Sequence, residues 1–291
     1  MGTPVLCVCT PIDSKVTTGY FVYALRIMAY SGFIQSLARG IRERSVDFRF
    51  DTFATQYLPH PPLAEQKQIA EFLDRECGKL DALVEKVKAQ IEKLEAYKKS
   101  IITEAVTPKD GWEVKRLKYL VTITTGDHDT QDADPDGEYN FYVRSPIIEK
   151  SKDYTFEGPG ILMAGDGAGA GRIFHIADGK YAVHQRVYRM YDFNNVNIKY
   201  LWYFLGSSFP QRMDMGSAQS TVPSVRLPML LNHQIPCPPL AEQKKIADWL
   251  DKKCGKIDGL IKKSKEQLEK LAEYKKSLIY EYVTGKKEVA A

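Results

Sequence analysis

The feature that most constrains this chain is an internal duplication. The segment from Pro59 to Thr107, beginning PHPPLAEQKQIAEFLD, recurs from Pro236 to Thr284 as PCPPLAEQKKIADWLD, with no gap and a constant offset of 177 residues. Whatever structure one copy adopts, the other must adopt as well. The period is too long for a solenoid, whose repeats contact only their neighbours, so two copies of one element alternate with larger inserts.

Each copy reads as a long helix. A Pro-Pro pair closes the preceding segment, and Glu65 or Glu242 suits the first helical turn, where a carboxylate meets exposed backbone N–H groups. Apolar residues then recur at alternating spacings of three and four: Leu73, Cys77, Leu80, Val84, Val87, Ile91, Leu94, Ile101 and Ala105 in one copy, and Leu250, Cys254, Ile257, Ile261, Leu268, Leu271, Leu278 and Tyr282 in the other. That is a heptad seam, interrupted at Lys98 and Lys275 and flanked by Glu and Lys. A helix of about 40 residues spans ~60 Å and cannot bury so narrow a stripe against a small domain. The two copies are therefore expected to pack on each other as an antiparallel coiled coil through Leu80, Val84, Val87, Ile91 and Leu94 on one side and Ile257, Ile261, Leu268 and Leu271 on the other. Gly78 and Gly255, each costing up to ~1 kcal/mol relative to alanine inside a helix, predict a bend there.

Residues 111–235 have another character. A polar run with five aspartates occupies Gly126–Gly137, and short strand candidates lie at Tyr139–Val143, Gly160–Ala164, Arg172–Ile176 and Val187–Tyr191. An aromatic helical stretch follows from Tyr200 to Leu205, so the fold class is α+β: globular modules alternating with the two long helices. The first 58 residues match only the end of this module. TGYFVYAL (Thr18–Leu25) parallels IKYLWYFL (Ile198–Leu205), and residues 40–58 parallel 216–235, which leaves no counterpart for residues 111–185.

Charge gives little guidance to function. The whole chain carries +4, but residues 111–235 hold 13 basic and 14 acidic residues, so any polyanion-binding face there must be a local patch. The glycine run GDGAGAGR (Gly165–Arg172) is followed by a strand candidate instead of a helix, which excludes a dinucleotide fingerprint and predicts a loop between strands. No Asn/Asp-Pro-Pro-aromatic motif of a methyltransferase occurs. The five histidines are scattered, and the five cysteines have neither metal-site nor disulfide-framework spacing, which suits a reducing cytoplasm. The expectation is a non-catalytic protein with no metal, no membrane span and no secretory signal.

The order of module, PPLAEQ helix, module, PPLAEQ helix resembles the specificity (S) subunits of type I restriction–modification enzymes, here shortened at the N-terminus. The motif PPLAEQKxIAxxLD, the Tyr-Lys-Lys-Ser stretch, Gly111-Trp112 with Leu117, and GILMAGDGAGAGRIFH with AVHQRVYRM carry the likeness over nearly the whole chain. The resemblance implies a division into the C-terminal part of a first target-recognition domain (1–58), a first helical spacer (59–110), a second target-recognition domain (111–235) and a second spacer (236–291). It further implies recognition of double-stranded DNA, with the helices setting the separation of two half-sites. It implies docking of two methyltransferase subunits, which bind the S-adenosylmethionine, and of restriction–translocase subunits. A shortened first domain leaves a second expectation, that of a half-length subunit serving as a scaffold or self-associating through its helices.

Within such a reader, phosphate anchoring calls for Lys or Arg, and base reading favours Arg, Gln and Ser/Thr at loop tips. The candidates on loops and module edges are Arg144, Arg172, His184, Gln185, Arg186, Lys199, Ser217, Gln219, Ser220, Thr221 and Arg226.

Overall fold

A computed structural model describes residues 14–37, 50–216 and 223–289. The chain divides into two compact units, one formed by residues 1–93 with 260–291 and the other by residues 94–259, so each unit takes part of both copies of the repeat. The repeats form α4 (Leu63–Val106) and α7 (Leu240–Val283), each of 44 residues and with matching bounds. Three shorter helices precede them: α1 (Thr18–Tyr30), α2 (Phe33–Leu37) and α3 (Phe50–Ala54).

The heptad seam is the buried stripe of both helices. Val87, Ile91, Ile257 and Ile261 are buried, and Leu80, Val84, Leu94, Leu268 and Leu271 are half-buried. In the first unit Leu73 and Cys77 of α4 pack with Leu278, Ile279 and Val283 of α7. Further along the same pair, Asp81 accepts from Lys275 Nζ at 2.6 Å, so rising numbers on α4 meet falling numbers on α7 and the helices are antiparallel. The second unit shows the repeat-equivalent ion pair, Lys98 Nζ to Asp258 at 2.7 Å. The two lysines that interrupt the apolar pattern thus stay on the seam and reach carboxylates of the facing helix. Burying a leucine is worth ~1.5–3 kcal/mol against at most about 1 for a part-exposed ion pair, so the apolar positions carry stability and the lysines bias register.

Both helices run through Gly78 and Gly255 unbroken, so neither glycine divides its helix into a short first and a long second one as the expected bend implied. Each glycine is exposed, and a Cβ there would meet no atom within 4 Å. The ladder on either side tolerates their conformational cost because the seam nearby is anchored by Leu73 and Leu250, both 0% exposed.

The helix entries explain the conserved spelling of the two copies. Gln66 and Gln243, 0% and 1% exposed, each receive a backbone N–H of the preceding segment through Oε1, from Thr17 and Asn197. Their Nε2 groups donate to the Pro61 and Pro238 carbonyls, both at 2.9 Å. Tyr20 and Tyr200 donate to the Pro59 and Pro236 carbonyls, while Tyr23 and Tyr203 donate to Asp74 and Asp251. The likeness of TGYFVYAL to IKYLWYFL is therefore a likeness of bonds. In the first unit, the described residues ahead of α4 contain helices and no strand.

The insert between α4 and α7 lies in the second unit and opens with β1 (Glu113–Arg116). It continues with a 3-10 turn (Leu117–Tyr119) and β2 (Thr122–Thr125). Then come β3 (Tyr139–Tyr142), β4 (Ile148–Ser151), β5 (Phe156–Glu157), β6 (Gly160–Ala164), β7 (Phe174–Ala177), β8 (Lys180–Val183) and β9 (Val187–Tyr191). Helices α5 (Ile198–Gly216) and α6 (Leu227–Leu231) and strand β10 (Gln234–Cys237) complete it. Two four-stranded sheets result, ordered β2-β9-β6-β7 and β4-β3-β8-β5. They face each other across Leu162, Ala177 and Val187 from one and Tyr142, Tyr181 and Val183 from the other. Helix α5 covers β6 and β7, burying Tyr200, Leu201, Leu205 and Phe209. Strand β10 returns antiparallel to β1, pairing Glu113 with Cys237, and so joins the end of the insert to its beginning. The predicted strands at 139, 160, 172 and 187 are present, the third beginning at Phe174 instead of Arg172, whereas β4, β5, β8 and β10 were not anticipated.

Candidate nucleic-acid interface

The glycine run forms the connection of the β6–β7 hairpin, whose register pairs Met163 with Phe174. A loop between strands is what its composition predicted. Glycine is required where other backbone presses on the loop. A Cβ at Gly165 would lie 2.8 Å from the Arg186 carbonyl oxygen, and one at Gly169 would lie 2.7 Å from that of Arg144. The loop is thereby laid directly against the two segments that carry those arginines. The Gly165 N–H donates to Arg186 O at 2.8 Å, Gly167 N–H donates to Pro223 O at 3.0 Å, and Val225 N–H donates to Gly165 O at 2.7 Å.

One end of the insert therefore gathers Arg144 (after β3), the β6–β7 loop, the His184–Arg186 turn between β8 and β9, and the segment leading to Arg226. Asp166 sits at its centre. Arg144 Nη1 donates to one carboxylate oxygen at 2.9 Å and Arg186 Nη1 to the other at 2.8 Å. Burial works against the carboxylate, but the two guanidinium groups override it and hold Asp166 below the usual aspartate range. Gln185 is exposed and donates from Nε2 to Asp129 at 3.0 Å. A cavity of roughly 330 Å³ opens between Thr130, Arg144, Asp166, Gly169 and His184.

His184 is 1% exposed and lies under this surface instead of on it. Its Nδ1 accepts the Arg186 backbone N–H at 3.0 Å, which leaves the ring proton on Nε2, facing Thr130 Oγ1 and Asp129 at 3.4 Å. Desolvation, assisted by Arg144, lowers its pKa and favours the neutral imidazole that accepts at Nδ1. It is a prop that shapes the Gln185–Arg186 turn, not a group offered to a ligand.

The remaining candidates are dispersed. Arg172 ends the glycine loop and pairs with Asp214 on α5. Lys199, in the first turn of α5, pairs with Asp251 of α7 and ties the insert to the helix. Arg226 is exposed at the N-cap of α6, next to the segment bonded to the glycine loop. Ser217, Gln219, Ser220 and Thr221 lie outside the described residues. Sequence reasoning missed Asp166 and Asp129, since acidic residues are poor first guesses for a polyanion site. Among the described residues no His/Cys/Asp/Glu group could hold a metal ion, and no helix is long and apolar enough to cross a membrane.

Two antiparallel helices carrying a two-sheet module with an arginine-bearing loop end define a scaffolded recognition protein. The model of the type I restriction modification DNA specificity domain matches residues 6–93 and 109–270, and the chain belongs to that family. It is similar to the MjaVIII type I restriction enzyme specificity subunit of Methanocaldococcus jannaschii, at 27% identity over 92% of this chain and 69% of that protein. A solved chain from work on complex assembly and conformational transition of the type I R-M system superposes with a TM-score of 0.72 at 16% identity, over 91% of this chain and 70% of that one. The type I restriction–modification S subunit from M. genitalium gives 0.51 at 15% identity, over 94% and 74%. These structural likenesses speak for the fold.

Proposed function

We propose that this chain is the DNA-recognition subunit of a type I restriction–modification complex, and that residues 111–235 read one part of the target. The observation that supports this most is the end of the insert where Arg144, on the loop after β3, stands beside Gln185 and Arg186 on the β8–β9 turn. Arginine matches guanine O6 and N7 in the major groove, and glutamine matches adenine N6 and N7. With phosphate contacts to orient the duplex, such a set suits direct readout.

Chemistry on DNA falls to other subunits. Methyltransferase subunits bring S-adenosylmethionine, and restriction–translocase subunits join them for cleavage. The chain contributes the reading surface and the paired helices as scaffold. Electrophoretic or anisotropy titration with the methyltransferase subunits tests the reading. Arg186→Ala is expected to weaken binding to the preferred duplex by ~10- to 100-fold, with discrimination lost at one base pair. Equal loss on every sequence would reassign Arg186 to the phosphate backbone, and no loss would remove this face from the interface.

A further inference from the structure

Each of the two exposed readers on the β8–β9 turn is held by a carboxylate, Arg186 by Asp166 and Gln185 by Asp129. The Asp166 cluster has the stricter geometry. Its side chain is 21% exposed, beneath Arg144 at 37% and Arg186 at 59%, so the anion is sheltered and the cations face outward. The backbone around it is pinned on both sides. Gly165 N–H is bonded to Arg186 O, Gly167 N–H to Pro223 O, and Asp166 itself forms an antiparallel bridge with Ser224. A carboxylate fixed in this way fixes whatever it binds. Each guanidinium spends one Nη1 donor on it, and a guanidinium has five N–H donors in a rigid fork.

We propose that Asp166 is a positioning residue for sequence readout, holding Arg144 and Arg186 on one shared carboxylate so that their free donors meet base edges and not the nearest phosphate. The inference rests on the DNA-reading function argued above. Two arginines on one aspartate leave a single net positive charge, which limits sequence-independent attraction to the backbone. A freed arginine on a loop would instead swing to a phosphate, adding affinity for every sequence and information about none.

The test uses the full chain with its methyltransferase subunits and a pool of duplexes with randomised centres, read by selection and sequencing and by titration against unselected pool. For Asp166→Asn, affinity for the unselected pool is expected to rise about three- to tenfold, with a steeper salt dependence as one more phosphate is engaged. The selected motif is expected to lose preference at one or two positions. Asp166→Glu keeps the charge but moves it by a methylene; pool affinity should stay near wild type while the same positions lose preference. Thermal midpoints of both variants are measured alongside. Wild-type motif preference in both Asp166 variants, with Arg186→Ala losing it, overturns the role of Asp166 and leaves the reading face standing. Loss of all binding together with a lowered midpoint in both variants also overturns it, because it marks a purely structural anchor. Wild-type preference in both Arg144→Ala and Arg186→Ala removes this face from the reading surface and with it the ground of the inference.

Discussion

His233 lies 7% exposed against the rings of Phe204 and Phe209, with Nε2 2.9 Å from Ser208 Oγ and no partner for Nδ1 among the described residues. Burial lowers its pKa from 6.5 to about 4. An unfolded chain binds this proton near pH 6.5 and the folded one only near pH 4, so the histidine's contribution is intact above pH 6.5 and drains away as pH falls through that window. At about 1.4 kcal/mol per pKa unit, wild type should lose about 2 kcal/mol more than His233→Gln between pH 7 and pH 4.5. Denaturant unfolding at both values checks this; equal losses would contradict it. Gln66 offers a second residue-scale expectation. Gln66→Ala leaves the Thr17 N–H and Pro61 carbonyl without their partner and should cost about 1–3 kcal/mol, measured as a lowered denaturant midpoint. At this scale the sequence pointed to the proposed readers but not to the carboxylates that hold them. Arg144, Gln185 and Arg186 could be nominated because arginine and glutamine at loop tips beside strand ends suit base recognition, and the fold brings them together. Asp166 and Asp129 are not, because a carboxylate 20 or 56 residues from its partner leaves no periodic trace.

At the scale of the element, the long helices were legible in nearly every respect because a heptad repeat states both the secondary structure and the need for a partner helix. The misjudged glycines show where propensity yields to packing. A Cβ at Gly78 or Gly255 meets nothing, so Gly78→Ala and Gly255→Ala should each stabilise the chain by up to about 1 kcal/mol, seen as a higher denaturant midpoint. A decrease would mean that the exposed face there is not open. Lys98 and Lys275 make the opposite case, seam positions given to charge. Replacing both with leucine should raise the thermal midpoint while weakening the uniqueness of the pairing, visible as mixed species in light scattering. The sheets were less legible. Strand β5 has only two residues, β8 is buried at three consecutive positions and so does not alternate, and the order β2-β9-β6-β7 depends on contacts far apart in the chain.

For the molecule as a whole, duplication is the organising fact. Each unit repeats the same set of bonds: a buried glutamine at the helix entry, a tyrosine on a proline carbonyl, a tyrosine on an aspartate, a lysine across the seam. Only the second unit carries the two-sheet insert among the described residues, and the proposed reading face lies on that insert. The near-neutral charge of residues 111–235 fits a surface that relies on a few placed donors more than on bulk attraction. The most direct test is to map methylated bases in the genome of cells expressing this chain with its methyltransferase subunits. Methylation confined to one motif, and altered or abolished by Arg186→Ala, is the predicted result. Methylation with no motif, or the same motif and level in the Arg186→Ala cells, would contradict the account.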